Sequence, residues 1–134
     1  MSLYQFFASN KPLSKFSNGK IISDTKGNIS VIDEANALCI FPEDDTIHMK
    51  LYTNKKFGAF IEWHYSDKNA ETVIQYIKEH LKDTRVIELW NTWLDQKETA
   101  NISKCHIDNL TVSNIKNIWG KDFYENAECL KIYY

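Results

Sequence analysis

A chain of 134 residues, 43% apolar and 25% charged, with a formal net charge of -2, has the composition of an ordinary globular fold and can bury about two thirds of its unfolded surface. Four glycines and two prolines leave little room for linkers, so a single α+β domain over 1–134 is expected. Of the 16 basic residues only Arg85 is an arginine, which argues against nucleic-acid binding, because phosphate recognition draws on clustered positive charge and the bidentate guanidinium fork.

No apolar run approaches the roughly 20 residues that span a bilayer, and residues 1–20 lack the basic start, apolar middle and small-residue cleavage site of a secretory leader. A cytoplasmic protein without membrane contact is expected, and the abundance of Ile, Lys and Asn suggests an AT-rich, bacterial genome. Cys39, Cys105 and Cys129 are odd in number and lack metal-site spacing, so they read as small buried apolar residues. No cofactor or metal is implied.

In chain order, Ser2 to Ala8 reads as a strand, ended by the turn-like Ser9-Asn10-Lys11-Pro12. Ile21 to Ser23 and Ile29 to Ile32 flank a turn around Gly27, the pattern of a small hairpin. Glu34 to Ile40 fits a short helix or another strand, stopped near Pro42, and Glu43, Asp44 and Asp45 form a solvated turn. Ile47, Met49 and Leu51 then alternate with His48, Lys50 and Tyr52, and Asn54 to Lys56 connect them to Phe57.

From Phe57 to Tyr65 the odd positions Phe57, Ala59, Ile61, Trp63 and Tyr65 are apolar, which marks a strand with one buried face. Ala70, Val73, Ile74, Ile77 and Leu81 recur at helical spacing, with Ser66 or Asp67 as cap and Lys78, His80 and Lys82 at the other end, matching the helix dipole. Arg85 to Leu94, β-branched and aromatic without alternation, reads as a strand buried on both faces. Within it Trp90 and Trp93 have opposite parity, so at most one points to the helix side.

Asn101 to Ile107 reads as another strand. Leu110, Thr111 and Ile115 fit a hydrophobic staple around an N-cap, Ile118 and Trp119 continue the stripe, and Gly120 closes the helix. Leu130, Ile132 and Tyr134 alternate in a final strand. From Phe57 onward the series strand, helix, strand, strand, helix, strand is that of a ferredoxin-like order, a mostly antiparallel sheet with two helices on one face.

If residues 47–53 form a hairpin with 57–65, Thr53 opposes Phe57, Leu51 opposes Ala59 and Met49 opposes Ile61, all beneath the helix. His48 then opposes Glu62 on the helix-free face, with His64 two residues on, and His106, which closes its strand in a similar way, joins them. Tyr52 and Phe60 add aromatic surface to the same face. Aromatics interleaved with polar groups suit a protein contact, by a partner or by a second copy in a homodimer. Nucleophile elbows, phosphate-cradling glycine loops and helical zinc-ligand pairs are missing, which leans the reading away from catalysis. It favours a non-catalytic interaction or regulatory module of accessory or immunity type. The alternative is a small enzyme or ligand or metal binder that uses His64 and Glu62 as base and orienting acid, assisted by His48 and His106.

Overall fold

A computed structural model describes residues 3–18, 21–23, 29–31, 37–43, 49–93, 100–121 and 126–134. The described strands are β1 (Leu3–Ser9), β2 (Phe16–Asn18), β3 (Ile21–Ser23), β4 (Ile29–Val31), β5 (Leu38–Glu43), β6 (Phe57–Trp63), β7 (Val86–Trp93), β8 (Asn101–His106) and β9 (Glu128–Tyr133), with helices α1 (Asp67–His80) and α2 (Val112–Trp119). Seven strands form one sheet in the order β2-β5-β6-β1-β7-β9-β8, while β3 and β4 pair apart as the expected small hairpin. Every described pair in the large sheet is antiparallel except β8 with β9, which the α2 crossover makes parallel.

The ferredoxin-like order does not hold. β1 lies between β6 and β7, and β8 lies outside β9. The reason is in β1 itself: Phe6, Phe7 and Ala8 are consecutive and fully buried, so both faces of the strand must be covered, which a central position provides. β5 then pairs with β6 on its other side, and since a strand has two edges, no place beside β6 remains for residues 49–53. The hairpin register therefore fails as well: Met49–Leu51 is a 3-10 turn, and Ile47 and His48 lie outside the described residues.

Parity within β6 is as read. Ala59 and Ile61 are buried beneath the helices with Phe7, Ile87, Leu89 and Ile132, and Trp63 packs at the edge of the same cluster. α1 begins at Ser66, whose hydroxyl accepts from Asn69 N at 3.1 Å, and its Ala70, Val73 and Ile77 pack on the sheet. α2 begins at Thr111, where Asn114 Oδ1 accepts from the Thr111 backbone N at 2.8 Å and from its hydroxyl at 3.0 Å. Leu110 and Ile115 are both buried on either side of that cap. Gly120 ends α2 at φ -110, so left-handed geometry is not its role; a Cβ there would come within 2.7 Å of the Tyr65 ring.

The helix-free side has a core of its own: Phe6, Ala8, Met49, Trp90 and Cys129 are buried there, with Tyr4, Tyr52 and Phe60 against them. Met49, expected beneath α1, lies instead on the opposite side, over Gly58, where an added Cβ would collide with its thioether. β5 continues through Pro42 to Glu43, past the point where a stop was expected. β2 pairs only with Leu38–Ile40, so Pro42 sits on an edge that needs no donor. Cys129 alone of the three cysteines is buried; Cys39 and Cys105 are half-exposed, because β5 and β8 lie toward the sheet margins. No helix among the described residues is long and apolar enough to cross a membrane.

Candidate functional site

One row across the sheet sets three charged residues side by side. Gly58, Ala8, Glu88, Lys131 and Lys104 are successive cross-strand partners on β6, β1, β7, β9 and β8. The small residues Ala8 and Gly58 leave space above them, and the turn at Met49–Leu51 settles there and carries Thr53 and Lys55 toward Glu88.

Glu88 is 3% exposed, and a carboxylate so placed must be satisfied by donors or by a cation. Its Oε1 accepts from the Trp90 indole N–H at 2.9 Å and from the buried Thr53 hydroxyl. Lys131 Nζ lies 3.6 Å from Oε2. Thr53 Oγ1 accepts in turn from Lys55 N at 3.2 Å, which ties the loop to the sheet. Burial, reinforced by the Glu88 charge, holds the neighbouring Cys129 thiol well above its ordinary range, so it is protonated at neutral pH and poor as a nucleophile.

Lys131 faces a second lysine on its other side. Lys104 is its direct partner in the parallel ladder, and like charges so opposed are unfavourable. Around them opens a depression of about 510 Å³ lined by Lys55, Val86, Glu88, Lys104, Lys131 and Tyr133. Three lysines against one carboxylate leave a local charge of +2 on a chain whose total is -2. Coulomb attraction there favours an anionic group.

The residues singled out from the chain fall in several places. Glu62 is exposed on β6 opposite Cys39, not His48, which lies outside the described residues. His64 is exposed beyond the end of β6, and its carbonyl accepts from Asn69 Nδ2 at 3.0 Å, a contact that steadies the start of α1. Tyr52 donates to Trp93 O at 3.4 Å and packs 5.7 Å from the Trp90 ring, while Phe60 stacks 5.1 Å from Phe41.

His106 does share the helix-free side, but not the company of Glu62 and His64. Its neighbour Cys105 is level with Phe57 at the start of β6, four strand spacings away, roughly 19 Å at about 4.8 Å each. There His106 packs edge-on against Tyr133 at 5.3 Å, beside the lysine row, and its Nδ1 accepts from Asp108 N at 3.1 Å. Among the described residues no group of three His, Cys, Asp or Glu side chains could hold a metal ion.

The row had a visible signal that reading by motif passes over. Val86-Ile-Glu-Leu-Trp90 lies in a segment read as buried on both faces, and a carboxylate in such a strand requires a partner. The alternation of Leu130 and Ile132 likewise turns Lys131 away from the helices. What period alone cannot supply is that β9 lies next to β7. The chain matches no protein-family model, no curated protein and no solved structure.

Proposed function

We propose that this chain is a non-catalytic interaction module, in an accessory role, that receives an acidic group of a protein partner on the helix-free face at Lys55, Lys104 and Lys131. The observation that carries the reading is the direct opposition of Lys104 and Lys131 with Glu88 balancing one of them. An arriving carboxylate relieves that repulsion, and the side chains already converge on a shared depression. Exposed Ile102, Tyr133 and Leu51 supply apolar surface on and around this side, the mixture typical of a contact patch.

The test is a nuclear magnetic resonance titration of the labelled protein with blocked tri-glutamate, and with tri-lysine as control. Amide shifts at Lys104, Lys131 and Tyr133 with tri-glutamate alone, weakening as salt rises through 0.15 M, are the expected result. Shifts at Glu62 and His64 instead, or equal responses to both peptides, overturn it.

A further inference from the structure

β8 is the outermost strand on its side of the sheet, and among the described residues no strand lies beyond it. Asn101 to Lys104 are all exposed, Ile102 to 54%. An edge of this kind presents unpaired backbone donors and acceptors that a further strand can satisfy. Two clefts flank it. On the helix-free side is the depression that contains Lys104. On the other side a cleft of about 390 Å³ runs between β8 and α2, lined by Asn101, Ser103, Asn114, Asn117 and Glu128 among others. Successive side chains of a strand go to opposite faces, so a strand laid along β8 sends its residues alternately to the helix-free side, where Lys104 lies, and to the side of α2.

We infer that the partner binds by adding an extended segment to β8, with an acidic residue opposite Lys104, an apolar residue opposite Ile102 and polar residues between them. The inference rests on the acidic-group reading above and adds the mode of attachment. Across the sheet the row runs Glu88, Lys131, Lys104, that is minus, plus, plus, and the next position outward is the one an added strand fills. An acid there stands about 5 Å from Lys104 at Cβ and gives the second lysine a counter-charge, as Glu88 does the first. A second copy of β8 does not, because Asn101-Ile-Ser-Lys-Cys-His106 contains no acid, and the register that sets Lys104 against its own copy is repelled. Antiparallel addition is the more stable choice per residue.

The probe is a blocked heptapeptide, Thr-Val-Thr-Glu-Thr-Val-Thr, with a glutamine analogue and two isomers N-methylated at alternate residues in the two possible phases. Expected are slowed hydrogen exchange along β8, binding roughly threefold to fivefold tighter for glutamate than for glutamine at low salt, and loss of about a hundredfold for one methylated phase with the other unchanged. Lys104→Met abolishes the preference for glutamate and keeps the sensitivity to methylation. If the peptide binds but neither methylated isomer is weakened and β8 exchanges as before, strand addition is overturned while the acidic-group reading stands. Failure of both this peptide and tri-glutamate to shift Lys104 and Lys131 overturns both. A concentration-dependent dimer with β8 protected in the absence of peptide assigns the edge to a second copy and overturns the proposal.

Discussion

Lys131 stands between Glu88 and Lys104, 3.6 Å from the first carboxylate and directly opposite the second lysine in the parallel ladder. That position makes it both the counter-ion of a buried charge and half of a repulsive pair. Removing its charge while Glu88 remains leaves the carboxylate, among the described residues, to the hydrogen bonds from Thr53 and Trp90. Lys131→Met is therefore expected to cost about 1–3 kcal/mol, below the range for a fully buried pair because Lys131 is one-third exposed. Glu88→Gln exposes the two lysines to one another, and its loss shrinks as salt is added. The double variant is expected to lose less than the sum of the two. Urea unfolding of all four proteins closes the cycle, and strict additivity refutes the coupling.

Gly58 accommodates Met49, and the turn at Met49–Leu51 depends on that space. Gly58→Ala forces the thioether aside and is expected to destabilise by about 1–3 kcal/mol. The collision is with the Met49 thioether, the Phe7 carbonyl oxygen lying further off at 3.3 Å, so Met49→Ala in the same chain removes most of it. The pair then costs clearly less than the two separate losses added, as read by thermal unfolding.

Asn91 is 1% exposed, and among the described residues neither atom of its side-chain amide has a hydrogen-bond partner. Burying an amide without compensation costs about 1–3 kcal/mol on the scale of protein mutations. Asn91→Leu, similar in size, is thus expected to raise stability by about 1 kcal/mol, visible as a Tm increase of a few degrees. A fall in Tm shows that the amide is engaged in solution.

Tyr76, on the buried face of α1, is 3% exposed, and its hydroxyl donates to Ser14 O at 2.7 Å. Burial holds its phenol above the usual range. A group whose pKa is higher folded than unfolded contributes stability that is complete below the unfolded value, about 10, and is lost as pH rises beyond it toward the folded one. Stability is expected to fall above pH 10 by up to about 1.4 kcal/mol per pH unit from this group. Tyr76→Phe costs about 1 kcal/mol at pH 8 through the lost hydrogen bond, and the gap to the unmodified protein narrows above pH 10. A gap that stays constant to pH 11 refutes the assignment.

What period and capping chemistry specify was legible along the chain. Ala59 and Ile61 beneath a helix, a cap at Ser66 or Asp67, Val86 to Trp93 buried on both faces and the staple of Leu110 and Ile115 all follow from residues a few positions apart, and the structure places the cap at Ser66. The mixed α+β character follows from the same local signals. Tertiary structure alone decided the neighbours: β1 between β6 and β7, Met49 on the helix-free side, and Glu88, Lys131 and Lys104 in one row. Side-chain parity assigns a residue to a face but not to a partner. Partners are chosen by which strands must be covered on both sides, and Phe6, Phe7 and Ala8 gain most from the centre of the sheet.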